Sequence, residues 1–222
     1  MPILSAASAG SLLDSVALLL LVTAIGSVLT RRVESGIRLL ALQGLLLAVA
    51  AATIALNTGN AHAYVAVALT LAVKSIAIPL LLLRALRQVR VTHEVELVIA
   101  RPLALLVAIG LVFVAYWSAG PLLAPAAFAT HDALPAALAM MLIGLFSMLI
   151  RKSALSQVVG LVALENGLYL AAVVATHGLP LAVELGVELD LLVAVLVMGL
   201  VVRQIHHHFD TIDTDQLSRL RG

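Results

Sequence analysis

The chain has 222 residues, 63% of them hydrophobic and only 11% charged, against roughly 25% charged in an ordinary globular domain. A net charge of +1 gives no basis for nucleic-acid binding, and the absence of cysteine excludes disulfides, thiolate chemistry, zinc ribbons and iron–sulfur ligation. Apolar runs of the length that crosses a bilayer recur, without the short alternating pattern of a β-barrel. The expected fold class is therefore all-α, a polytopic helical protein embedded in the lipid bilayer.

Hydropathy predicts about seven spans, near 11–30, 37–56, 64–85, 102–120, 133–150, 154–175 and 181–202. No arginine-led signal region with a small-residue cleavage site is evident, and the first apolar run, from near Leu12, is long enough to stay as an anchor. Arg31, Arg32 and Arg38 follow span one, and Arg84, Arg87, Arg90 and Arg101 follow span three. Arg151 and Lys152 follow span five, and Arg203, Arg219 and Arg221 follow span seven. Loops after the even spans hold no Lys or Arg, so the positive-inside rule predicts an outer N-terminus and a cytoplasmic C-terminus.

Those even-side loops carry His62, His131 and His177. Wet loop residues explain them; proton exchange at the outer surface is the sharper alternative, since histidine titrates near neutral pH. The segment 87–101 mixes charge with Val, Leu and Ile and is expected to lie along the cytoplasmic interface. Four parts result: a three-span front part (1–86), this amphipathic connector (87–101), a fourth span with its outer loop (102–132), and a rear three-span part with a cytoplasmic tail (133–222).

Four ionisable residues inside spans require an explanation: Lys74, Glu165, Glu188 and Asp190. Each costs about 2.5–3.5 kcal/mol at a helix centre on insertion scales, and such groups face a bundle interior or a hydrated path. Burial favours the neutral form of acids and amines alike, which brings proton exchange within reach. The structural alternatives are neutral side chains bonded between helices, or Lys74 paired with one acid. Glu184 and Glu188 share a helix face, with Asp190 pointing roughly opposite; Glu184 is close enough to the outer end for solvation to explain it. Gln43 in span two and Asn166 beside Glu165 are neutral polar groups suited to helix packing.

Other chemistries find little footing. No predicted span carries a histidine for haem ligation, and the HHH at 206–208 sits at a helix end beside the headgroups, a weak metal tract. There is no Gly-rich phosphate loop, nucleophile elbow or HExxH. Catalytic, cofactor and metal residues are accordingly expected to be absent.

The stretch LIRKSALSQVVGLVALENGLYLAA (149–172) and the tail RQIHHHFDTIDTDQLSRLRG (203–222) make the rear part resemble the three-span K-type membrane subunit of respiratory complex I. A seven-span chain with such a rear part resembles the hydrogenase-4 component E family, of the formate hydrogenlyase type. The resemblance implies a non-catalytic subunit in the membrane arm of a group 4 nickel–iron hydrogenase complex, in the cytoplasmic (inner) membrane. It would sit beside antiporter-like and other membrane subunits and assist proton or sodium movement. Nickel–iron and iron–sulfur centres would belong to hydrophilic partner subunits, with no cofactor held by this chain.

The K-type pattern places its two glutamates at Val162 and Ala194, whereas the acids here are Glu165 and Asp190. Steps of three and four residues keep the helix face, and both displace the acid outward by about 4.5–6 Å. That coherence favours a retained two-carboxylate relay, Glu165 with Asp190, seconded by Lys74 and Glu188. The RQ pairs at 87–88 and 203–204 each follow an ionisable residue, Lys74 and Asp190, by the same interval, and ALQG around Gln43 overlays ALEN around Glu165. The front three spans then read as a diverged copy of the rear three. Competing classes are an assembly scaffold without ion conduction, a stand-alone secondary transporter, and a subunit of a multi-subunit cation/proton antiporter.

Overall fold

In the computed structural model the chain is described over residues 6–59, 61–88, 97–119 and 130–176, together with Leu192 and Val195. These form α1 (Ala6–Leu29), α2 (Val33–Thr58), α3 (Ala61–Thr70), a π-helical segment (Leu71–Ala77), α4 (Ile78–Gln88), α5 (Arg101–Ala119), α6 (Ala133–Ile150) and α7 (Ala154–Thr176). With α3, the π segment and α4 running on as one helix, six helices among the described residues are long and apolar enough to cross a membrane. The chain is thus an all-helical, multi-pass membrane protein, with no strand among the described residues. The span expected at 181–202, with Glu184, Glu188 and Asp190, lies outside the described residues except for Leu192 and Val195, both helical.

Within these oily helices several hydroxyl residues bond back to their own backbone. Thr23 donates to the Leu20 carbonyl at 2.7 Å, Ser27 to Ala24 at 2.7 Å, and Thr53 to Val49 at 2.9 Å. A hydroxyl satisfied in this way costs little in a medium without water. Helix ends are marked by charge and by glycine. The first helix stops ahead of Arg31 and Arg32, and α2 stops at Gly59, whose left-handed φ of 65° lets its N–H reach the Ala55 carbonyl at 2.9 Å.

The π segment has a cause two residues beyond its end. Pro79 has no N–H, and its ring crowds the carbonyl four residues back, that of Ser75. The chain adopts a wider turn just before it, with the Ile78 N–H bonded to the Val73 carbonyl. That widened turn carries Lys74.

Helices α6 and α7 pack most intimately. A Cβ on Gly144 would lie 2.6 Å from the Leu164 Cα, and one on Gly167 would lie 2.8 Å from the Met141 nitrogen. Only hydrogen side chains permit that approach. The first helix packs on α2 and α6, α5 flanks α6 and α1, and α2 lies against the α3–π–α4 helix and α7. Of the connector, residues 87–88 and 97–101 are described; Leu97 forms an isolated bridge with Arg151, and the Val98 N–H meets the Ile150 carbonyl at 2.8 Å.

Two apolar cores result. One gathers Leu13, Leu20, Leu47, Ile54, Met140, Ile143, Tyr169 and Leu170 from α1, α2, α6 and α7. The other gathers Val33, Ile37, Leu40, Ile78, Leu82, Val158 and Val162 from α2, α4 and α7, and includes Val195. On α2 the change from one core to the other falls between Leu40 and Leu47; on α7 it falls between Ala163 and Tyr169. A polar layer occupies that boundary.

Candidate functional site

Span-central polar residues from three helices meet in this layer. Lys74, 2% exposed, comes from the π segment; Gln43, fully buried, from α2; Glu165 and Asn166, 8% and 1% exposed, from α7. The Lys74 ammonium forms an ion pair with Glu165 Oε2 and donates a second hydrogen bond to Asn166 Oδ1 at 3.3 Å. Asn166 Nδ2 in turn donates to Gln43 Oε1 at 3.1 Å. The chain of contacts therefore runs from the α7 carboxylate, through the π-segment ammonium and the Asn166 amide, to α2.

Close backbone approach makes this reach possible. A Cβ on Gly44 would lie 2.6 Å from the Lys74 carbonyl carbon and from the Ser75 nitrogen. The residue after Gln43 thus lets the π segment press on α2, and Ser75 Oγ fastens it by donating to the Ala41 carbonyl at 3.1 Å. Tyr169, one turn beyond Glu165, puts its ring under the Lys74 ammonium, 5.0 Å from nitrogen to ring centre. Its hydroxyl shares a 2.8 Å hydrogen bond with Thr70 Oγ1. At the two ends of the seam, Glu165 Oε1 and Gln43 Nε2 are buried and bond to no other described residue.

Chemically, the pair couples one exchangeable acid to one exchangeable base. Desolvation opposes both charges, and mutual attraction plus the amide bonds offset that cost. A proton passed from Lys74 Nζ to Glu165 Oε2 would leave a neutral amine beside a neutral acid. Among the described residues no group of three or more His, Asp or Glu is arranged to hold a metal ion.

All four members of the seam are among the polar residues that the sequence singles out. The Lys74–Glu165 pair is the structural alternative in which Lys74 pairs with one acid. The expected relay partners Asp190 and Glu188 lie outside the described residues. Tyr169 and Thr70 were missed, although Tyr169 follows Glu165 at the i+4 spacing that puts two side chains on one helix face.

Two further polar sites lie toward the helix ends, one half-buried and one buried. Asp14, in the third turn of α1, accepts the backbone N–H groups of His131, Asp132 and Ala133 at 3.1, 3.0 and 2.9 Å. A carboxylate from another helix thus caps α6, while Asp132, at the cap position, makes no side-chain cap bond. The one acid in the first span was the available signal. Arg151, 1% exposed in the α6–α7 turn, donates to the carbonyls of Ser27 at 2.8 Å and Ser156 at 3.1 Å. Burial lowers its pKa to about 10, which leaves it charged at neutral pH. This basic residue, read from sequence as loop charge, ties the end of α1 to the start of α7.

These features define a helical membrane protein with a mid-span ion pair held by an amide–aromatic shell. The chain belongs to the family of the Mycobacterium tuberculosis protein called Uncharacterized protein Rv0085, with which it shares 36% identity over 196 residues, 86% of this chain and 87% of that protein. It is also similar to Hydrogenase-4 component E of Escherichia coli K12, 28% identical over 149 residues, 67% of this chain and 69% of that protein. Hydrogenase-4 component E of Shigella flexneri is similar to the same degree. No family model matches the chain, and no solved structure matches it.

Proposed function

We propose that the chain is a membrane subunit of a hydrogenase complex and that its mid-span seam carries protons as part of ion movement coupled to hydrogen metabolism. The similarity to hydrogenase-4 component E supports the first half. The buried Lys74–Glu165 pair carries the second. In this reading the complex lies in the cytoplasmic membrane with the chain's C-terminus inside. Antiporter-like subunits adjoin the chain, and the redox centres reside in hydrophilic partners.

The resting state is the ion pair. Lys74 gives a proton to Glu165 Oε2, leaving a neutral amine and a neutral acid. Rotation of the carboxyl group presents that proton on the side of Oε1, the oxygen with no other described bond, from which it leaves. A proton arriving at Lys74 restores the ammonium, so one proton enters for each that departs. Asp190 and Glu188 are proposed as the next carriers along the seventh span. The same reading takes the front spans as a diverged copy of the rear ones, with Gln43 at the position of Glu165.

Glu165→Gln tests the relay. It keeps a hydrogen-bonding side chain for Lys74 and removes the exchangeable carboxyl. Assembly should persist while hydrogen-linked ion translocation in membrane vesicles falls; unchanged translocation removes Glu165 from the path. The scaffold reading has its own support in the Asn166–Gln43 bond between α7 and α2. It predicts that replacing both Glu165 and Asp190 costs the complex itself, with no separate transport defect in whatever assembles.

A further inference from the structure

The seam contains an aromatic ring whose placement the relay alone does not explain. Tyr169 is 2% exposed and Thr70 is fully buried. The ring is held at both ends, by its own helix α7 and by the hydroxyl bond to Thr70 on α3. Between those anchors its face lies under the Lys74 ammonium, 5.0 Å from the nitrogen. A cation over an aromatic face is attracted by the ring quadrupole, most strongly where water is excluded.

Other groups bonded to Lys74 act differently. From α7 come the Glu165 carboxylate and the neutral Asn166 amide, and from α2 Gln43 reaches the lysine only through Asn166. In the proposed relay the ion pair and the cation–π attraction lapse together when Lys74 passes its proton to Glu165, since the amine is then neutral. A proton that returns to Lys74 before Glu165 has released its own makes an ammonium with no carboxylate beside it. Tyr169 attracts that ammonium whatever the state of Glu165, and so is suited to hold it in place until the ion pair is restored.

We infer that Tyr169 is the positioning residue of the seam: its ring keeps the Lys74 ammonium at Glu165, and its bond to Thr70 fixes the ring. The functional consequence rests on the relay proposed above; the geometric part does not. Nuclear magnetic resonance of the full chain in detergent, labelled at lysine side-chain carbon, reads the geometry directly. The chain has two lysines, Lys74 and Lys152, and Lys152 is exposed and supplies the reference signal, assigned with Lys152→Arg.

In the wild-type chain the Lys74 ε-methylene protons should resonate upfield of those of Lys152, with cross-relaxation to the tyrosine ring. Tyr169→Phe keeps the ring face and should keep the upfield displacement; Tyr169→Leu should abolish it. A wild-type Lys74 signal coincident with that of Lys152, or one unmoved by Tyr169→Leu, overturns the inference. The wild-type measurement decides even if Tyr169→Leu does not fold. In the assembled complex, Tyr169→Leu should lower translocation roughly tenfold or more, as loss of a desolvated cation–π contact implies, and Tyr169→Phe should restore most of it. Full translocation in Tyr169→Leu overturns the positioning role. Full translocation in Glu165→Gln instead overturns the relay and leaves the resonance result standing.

Discussion

The Lys74–Glu165 pair makes a prediction about stability that depends on burial alone. Lys74 is 2% and Glu165 8% exposed, so removing either partner leaves the other desolvated. Breaking a buried pair from one side costs about 3–5 kcal/mol, whereas replacing both partners by apolar residues of similar volume is near neutral. Lys74→Met and Glu165→Leu should each destabilise the chain by that amount, and Lys74→Met/Glu165→Leu should lie much closer to wild type. The amide bond from Asn166 to Gln43 survives all three changes, so the cycle isolates the ion pair. Reversible unfolding in detergent micelles measures it. The two single effects should exceed the double effect by roughly 3 kcal/mol or more, well above the 0.3–0.5 kcal/mol scatter of independent sites. Additive singles would show that the two groups do not interact and would refute the seam.

Three other sites give sharper local tests, each read by the same unfolding measurement. Gly44→Ala puts a methyl 2.6 Å from the Lys74 and Ser75 backbone, and should cost about 1–3 kcal/mol by overpacking. Gly110→Ala in α5, where nothing lies within 4 Å, should instead be neutral or stabilise by up to about 1 kcal/mol. Asp14→Ala removes three backbone acceptor bonds at the start of α6 and should cost about 1–2 kcal/mol, with faster amide exchange in the first turn of α6. Arg151→Met frees the Ser27 and Ser156 carbonyls and should cost about 1.5–3 kcal/mol; Arg151→Lys should recover only part, since a point charge cannot reproduce the guanidinium fork.

Membrane class and the positions of the six described spans were legible because hydropathy alone decides them in an apolar solvent. The membership of the seam was legible for the same reason: Lys74, Glu165, Gln43 and Asn166 are expensive mid-span residues, and expense is visible in composition. Their pairing was not. Nothing in a uniformly Ala-, Leu- and Val-rich helix says which neighbour it faces, so the sequence leaves open which acid Lys74 meets, and the depth match of Glu165 to Asp190 concerns a residue outside the described ones. The π segment escaped notice because its cause is one proline beyond the lysine, a local backbone event with no hydropathy signature. Asp14 was passed over for a related reason. An acid near a helix end reads as solvated, whereas here it serves the end of a different helix.

The place of the seam between two apolar cores bears on what it can do. Polar groups used only as glue need to be satisfied, and scattering them along an interface serves as well as gathering them. Here the polar residues of α2, the π segment and α7 fall in one layer, with Leu40 and Ala163 on one side and Leu47 and Tyr169 on the other. An ion pair set between two dry cores cannot exchange charge with either, so any proton it moves must travel along the layer. Its two termini, Gln43 Nε2 on α2 and Glu165 Oε1 on α7, are the buried atoms of the seam without a described partner. A lateral path from one helix face to another suits a subunit that hands protons to its neighbours in a membrane arm, and suits a self-contained channel poorly. The Glu165→Gln variant should therefore impair translocation only in the assembled complex, and the isolated chain in vesicles should conduct no more than empty vesicles do.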